Sequence, residues 1–200
     1  KKKKNDARSS ASVLQDGDSH RHALGVNQAL ERFSLEAWVS PDCGGVIASK
    51  DGLFELRMGS VNAPAPASFS VTFTNGVSCI ARSAINYPTP ADSFVVNNVD
   101  YNTGQRELYH VAGHFTGNQV KLYINGELMA SEKMNKRYQC NINDRDLFIG
   151  GQGGEYRGYI EAVHWKRDVS SSAIRAEPCI RSGSTIGLWR FEEPVDFFFF

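Results

Sequence analysis

The 200-residue chain contains no apolar run of eighteen residues, which excludes a transmembrane helix of the usual kind. It also lacks net charge. Lys and Arg together number 22, as do Asp and Glu, so no basic excess of the kind nucleic-acid binding needs is visible beyond Lys1 to Lys4. None of the four cysteines forms a Cys-x-x-Cys pair, which argues against a zinc ribbon or a thioredoxin-like motif. There is no Gly-x-Ser-x-Gly elbow, no P-loop and no Asn-x-Ser/Thr sequon. The missing sequon leans against a glycosylated ectodomain. The opening "KKKKNDARSS" has charge but no apolar segment behind it, so it does not read as a signal peptide. Helical periodicity is scarce. Only residues 170–178 offer a turn or so, with Ser170 to Ser172 as N-caps and Pro178 as a stop.

What is present is a succession of short segments rich in Val, Ile, Phe, Tyr and Thr, punctuated by Gly, Asn, Asp and Pro. "RFSLEAWVS" (32–40) sets Phe33, Leu35, Ala37 and Val39 on one face and Ser34, Glu36, Trp38 and Ser40 on the other. Residues 45–59 read as two strands joined at Lys50-Asp51-Gly52, and Asn75-Gly76 joins another pair. Further strands are expected at 93–98, through 107–131, at 146–151 and at 159–167. Strands at such spacing predict an all-β fold, a two-sheet antiparallel β-sandwich, and not βαβ units. Looser stretches at 62–67, 83–92, 97–105 and 135–146 are too short for interdomain linkers. One domain is expected over 11–192, after a basic tail at 1–10 and before a tail or the start of a next segment at 193–200.

Catalytic and metal readings are weak. His110 and His114 lie four apart in a strand-like segment, about 13 Å from each other along an extended chain. A single zinc ion, which holds His nitrogens at roughly 2 Å, does not readily take both. They read as structural histidines. His20 and His22 are closer but show no third ligand. A sandwich glycosidase needs two carboxylates roughly 5–9.5 Å apart, and the candidate strands supply only Glu36 and Glu161 singly. The chain is therefore expected not to be an enzyme. Gly150, Gly151, Gly153 and Gly154 precede no helix and read as a bend. Two disulfides are open to the cysteines, with Cys43–Cys79 and Cys140–Cys179 the expected pairing. Four buried free thiols are the alternative.

Four stretches together resemble the laminin-G-like, or concanavalin A-like, lectin/glucanase superfamily, especially its pentraxin-like branch. They are "SVLQDGDSHRHALG" (12–25), "FSLEAWVSP" (33–41), "LYHVAGHFTGNQVKLYINGELMAS" (108–131) and "LFIGGQGGEYRGYIEAVHWKRDVSSSAI" (147–174). Gln15 and Tyr109 stand where aromatics, the latter a Trp, are usual in the family. The resemblance spans most of 11–192 and implies a jelly-roll sandwich of six or seven strands per pair of sheets, about 10 Å apart. Its hairpin has a clear local cause, since Asn125-Gly126 supplies the positive φ angles of a type I′ turn.

The resemblance further implies a recognition or adhesion module of a larger, extracellular or cell-surface protein. It would bind a glycan or a protein through rim loops, with calcium as a possible cofactor, and without membrane insertion or nucleic acid. The oxygen-rich loops are 97–104 and 141–146. Asn97, Asn98, Asp100, Tyr101, Asn102 and Tyr156 are the candidate ligand-binding residues. Asp100, Asp144 and Asp146 are the candidate calcium ligands. The bland alternative is that these Asn and Asp residues only form turns. A structural module making subunit contacts in a virion, fibre or appendage, and a glycoside hydrolase or lyase relative, are the competing functions. "STIGLWRFEEP" (184–194) reads either as a last strand beside the first or as the opening of a next domain in a tandem array.

Overall fold

In the computed structural model residues 12–14, 29–59, 65–87, 108–150, 156–167, 174 and 182–191 are described, with backbone alone for 12–14, 41–43 and 157–158. In chain order the strands are β1 (Ser12–Leu14), β2 (Ala29–Leu30), β3 (Phe33–Lys50), β4 (Phe54–Met58), β5 (Ala65–Thr72) and β6 (Ser78–Tyr87). They continue with β7 (Tyr109–Phe115), β8 (Gln119–Ile124), β9 (Glu127–Lys133), β10 (Cys140–Asn141), β11 (Leu147–Ile149), β12 (Arg157–Arg167) and β13 (Thr185–Arg190). Every pairing among them is antiparallel.

Eleven of the strands make two sheets that share β3, and β2 pairs with β10 apart from them. Sheet I runs β1-β11-β3-β4-β5-β6. Sheet II runs β13-β12-β3-β7-β8-β9. Residues Phe33 to Val39 of β3 pair with β7, whereas Gly45 to Lys50 pair with β4. The pattern at 32–40 and 45–50 suggests separate strands, but one 18-residue strand turns the corner between the sheets. Gly44 and Gly45, with φ of 60° and 122°, occupy conformations that favour glycine and let the backbone bend without ending the strand.

The turns follow their sequence signals. Asn125 and Gly126 have φ of 51° and 82°, the two positive angles a type I′ hairpin requires. The Asn125 side chain adds a reason for Asn at that point: its Oδ1 accepts from the His110 amide at 3.0 Å, tying the turn to β7. At Asn75-Gly76 the Gly76 amide donates to the Phe73 carbonyl, and Val77 N donates to Asn75 Oδ1 at 3.1 Å. Among the glycines of 150–154, Gly150 (φ 85°) accepts from Tyr156 N at 2.9 Å, a bend as expected. β13 answers the double reading of 184–194 with a correction. It is a strand of this sandwich, but it pairs with β12, while β1 pairs with β11.

The core lies between the sheets. Phe33, Leu35, Ala37, Val39, Val111, Phe115, Val120 and Leu122 from sheet II meet Leu56, Phe69 and Val71 from sheet I, all fully buried. Each such large side chain contributes roughly 1.5–3 kcal/mol by leaving water. Phe33 is the hub. Its ring lies 5.7 to 6.4 Å from those of Phe54, Phe69, Phe115 and Trp165, in tilted or edge-on arrangements.

The expected disulfides are corrected in part. Cys79 and Cys140 are buried free thiols. Cys43 lies on β3 and Cys79 on β6, three strands apart in sheet I. That is about 14 Å across the sheet, against the 4.4–6.8 Å between Cα atoms that a disulfide spans. Cys179 lies outside the described residues. Burial raises the Cys140 thiol to about 12, and burial together with the Glu132 charge also raises Cys79.

Candidate functional site

The two sheets differ in how far their outer faces are buried, and this difference places the site. On sheet II Ser34, Glu36, His110, Ala112, His114, Ala162 and His164 point away from the core and are buried, and Trp38, Lys121 and Lys166 beside them are partly so. Ile174 packs with Ala112 and Tyr123 on this side.

The same face carries a polar network. Lys166 Nζ is 2.7 Å from Glu36 Oε1, Ser34 Oγ donates to the same oxygen at 3.0 Å, and His110 Nε2 is 3.6 Å from Oε2. Burial alone would raise the Glu36 pKa. The nearby His110 ring and the Lys166 ammonium outweigh it and hold the carboxyl below its ordinary value. His164 Nε2 sits 2.8 Å from Thr185 Oγ1. Burial, with the Lys166 and Arg190 charges beside it, lowers its pKa to about 4 against the opposing pull of Glu36.

His110 and His114 therefore serve architecture, and His110 also packs its ring 5.2 Å from that of Trp38. The lowered His164 value carries a prediction. An unfolded chain takes up a proton at His164 near pH 6.5, whereas the folded chain takes it up only near pH 4. This destabilisation is absent above pH 6.5 and grows as pH falls toward 4, reaching on the order of 3 kcal/mol. Glu36 acts in the same acidic direction, since its contribution is lost as pH falls below its unfolded pKa. Urea midpoints from pH 7.5 to 4.5 are expected to fall more steeply for the wild type than for H164N. Parallel curves would show that His164 is not the source.

Sheet I is different. Its outer face presents two neighbouring rows, Ser49–Glu55–Ser70–Ile80 and Arg57–Ser68–Arg82, with Thr72 and Ser78 beyond them. Arg57, Arg82, Ser78 and Ile80 are exposed, and Glu55, Ser49, Ser70 and Thr72 partly so. The alternation in "FELRM" and "SFSVT" is the cause, since apolar positions turn to the core and polar ones to solvent. Arg57 Nε meets Glu55 Oε1 at 3.2 Å, and the Thr72 and Ser78 hydroxyls are 2.9 Å apart.

Past the β6 edge the face runs into a groove of about 440 Å³ lined by Phe73, Val77, Ser78, Cys79, Ile80, Glu132, Met134 and Tyr138. Tyr138 stacks on Phe73 at 4.5 Å, and Lys136 Nζ lies 5.1 Å from the Tyr138 ring centre. An aromatic and aliphatic floor with hydroxyl and charged groups at its margin suits an amphipathic ligand.

The residues singled out in the sequence fare unevenly. Asn97, Asn98, Asp100, Tyr101 and Asn102 lie outside the described residues. Tyr156 is corrected: it is 2% exposed and belongs to the core, so its ring offers no face to a ligand. Asp144 and Asp146 are exposed on the 141–146 loop. That loop is pinned to the β3–β4 turn: Lys50 Nζ donates to the Arg145 carbonyl, Arg145 pairs with Asp51, and Asn143 Nδ2 donates to the Asp51 carbonyl at 2.8 Å. Two cationic side chains thus hold the Arg145 carbonyl and the Asp51 carboxylate. Among the described residues no three His, Cys, Asp or Glu side chains gather to hold a metal. The open face of sheet I was missed in the sequence, where its segments read only as strands joined by turns.

Comparison with known proteins follows this geometry. A family model described as the concanavalin A-like lectin/glucanases superfamily (Laminin_G_3) matches residues 15–175. The Ruminococcus gnavus IT-sialidase CBM40 bound to alpha2,3 sialyllactose superposes with a TM-score of 0.52 at 17% identity, over 82% of this chain and 89% of that one. A putative carbohydrate binding protein from Bacteroides ovatus gives 0.51 at 17% identity, over 84% of this chain and 47% of that one, so the chain spans about half its length. The native heptameric SAP-like pentraxin from Limulus polyphemus gives 0.49 at 15% identity, over 74% and 70%. At these identities the likeness shows the fold. No curated protein matches the chain.

Proposed function

We propose that this chain, which belongs to the concanavalin A-like lectin/glucanases superfamily, is a non-catalytic recognition module that binds glycan. The observation that carries the reading is the asymmetry of the sandwich. The centre of sheet II, along β3 and β7, is largely buried on its outer face as well as its inner one, while sheet I keeps an outer face of hydroxyls, arginines and exposed isoleucine, continuous with an aromatic groove. A sugar ring, apolar on its faces and polar at its edge, matches such a surface. Structural neighbours support it, since one is a carbohydrate-binding module solved with sialyllactose and another a putative carbohydrate binding protein. The setting in this reading is extracellular or cell-surface, within a larger protein.

Binding on a glycan array is expected to survive E36Q and E161Q variants as long as they fold. Glu36 is tied into the buried network and Glu161 stands exposed on β12, so neither supplies a paired acid and base. Turnover of a polysaccharide that is lost in either variant would overturn the non-catalytic reading. A chelator arm decides between the two binding locations. Retained binding places the ligand on sheet I, and binding lost with EDTA points to the rim loops with Asp100, Asp144 and Asp146.

The second reading, a module making subunit or protein contacts, is favoured by one observation. The exposed large apolar residues among those described, Val77, Ile80, Ile85 and Leu128, fall on β6, the turn before it and β9. These edges of the two sheets pack against each other. A homo-oligomer by light scattering with no glycan binding would favour that reading over recognition.

A further inference from the structure

We propose that the Arg57–Ser68–Arg82 row on sheet I receives the anionic group of an acidic oligosaccharide, a carboxylate or a sulfate ester. The inference rests on the glycan reading and names its ligand class. Arg57 is paired with Ser68 across β4 and β5, and Ser68 with Arg82 across β5 and β6, so all three side chains project from one face along one line. The two arginine Cα atoms stand roughly 10 Å apart, two strand spacings, with the small Ser68 between them. Two long side chains can therefore close over one group above Ser68.

Like charges held on one face repel, and a surface without a ligand would gain from a carboxylate between them. Here the carboxylate on the neighbouring row, Glu55, engages Arg57 through Nε, and no described carboxylate pairs with Arg82. With Glu55 beside it, the row sets two cations against one carboxylate among the described residues, in a protein whose overall charge is zero. Guanidinium groups offer planar, paired donors that match the two oxygens of a carboxylate or sulfate. Both arginines are exposed, so little solvation is lost in bringing such a group down to them.

The neighbours on this face fit the rest of a sugar. Ser70, Thr72 and Ser78 bring hydroxyls. Ile80, two residues before Arg82 on β6, brings an exposed apolar side chain that leads into the Phe73–Tyr138 groove. An acidic sugar anchored by its charge at the arginines can lay its remaining rings toward β6.

The test uses three probes with one lactose core: lactose, 3′-sialyllactose and 3′-sulfolactose, titrated into the whole chain by calorimetry at low and physiological salt. At least one charged probe is expected to bind about tenfold or more tightly than lactose, with the advantage shrinking in salt. The responding probe identifies the anion as carboxylate, sulfate or either. R57Q/R82Q is expected to lose that advantage while keeping its thermal unfolding midpoint. K133Q, an exposed lysine on β9, is expected to keep both. Equal binding of lactose and the charged probes, or an advantage kept in R57Q/R82Q, overturns the inference and leaves glycan recognition standing. No binding of any of the three overturns it as well. A glycan array free of acidic sugars then tests the broader reading separately.

Discussion

Replacing Lys166 with methionine is expected to destabilise the fold by about 3–5 kcal/mol, seen as a lower urea midpoint with an unchanged slope. Methionine keeps most of the side chain's apolar bulk, so the loss isolates the ammonium. Glu36 is almost fully buried on the outer face of sheet II, and its carboxylate depends on Lys166 at 2.7 Å, with Ser34 and His110 as lesser partners. Without the ammonium a buried anion is left under-compensated. Removing one member of such a pair costs far more than removing both. The double variant E36L/K166M is therefore expected to recover most of the loss, a strongly non-additive result. The single variant's deficit should also narrow in acid, because protonating Glu36 relieves the uncompensated charge. A K166M penalty below about 1 kcal/mol, or additivity in the double variant, would show that the network is incidental.

Gly113→Ala is expected to cost about 3 kcal/mol or more, enough to lower expression of folded protein. Gly113 sits in the middle of β7, paired with Leu35 on one side and Leu122 on the other, and faces the opposite sheet. There the Phe69 ring lies against its backbone, so a Cβ built on Gly113 would overlap the ring. Phe69 cannot withdraw easily, since it is fully buried and packs edge-on to Phe33 at 6.1 Å. Overpacking here pushes on the aromatic hub of the core. F69L, which leaves a void instead, should be destabilising alone and should partly rescue G113A. If G113A unfolds at the wild-type urea midpoint, the close approach of Phe69 carries no energetic weight.

Gly113 shows where sequence reasoning stops. A glycine inside a strand signals that something comes close. Nothing in "HVAGHF" says that the visitor is a phenylalanine 44 residues earlier, on the other sheet. The same limit applies to β3. Its alternation marked the core face correctly, but the other face gave no hint that Ser34 and Glu36 would be buried as well. Tyr156 failed for a related reason, because in a loop-like stretch an aromatic residue can serve the core or a ligand equally well. The Arg57–Ser68–Arg82 row needed the register of three strands before its members could be seen as neighbours.

Local physics settled a good deal before any coordinates. Period-two patterning declared the strands, Asn-Gly pairs placed hairpins, and the order of four motifs along the chain pointed to the concanavalin A-like sandwich that the family match then showed. These signals are local, encoded within a few residues by sterics and by which side of a strand meets water. Tertiary structure alone decided which polar face is largely buried and which is open, which histidines and carboxylates meet, that Cys79 and Cys140 stand as free thiols, and that two arginines share a row. Those outcomes depend on strand order and on one long strand turning a corner at Gly44 and Gly45. They join residues tens of positions apart, where the pattern along the chain carries no record of the partner.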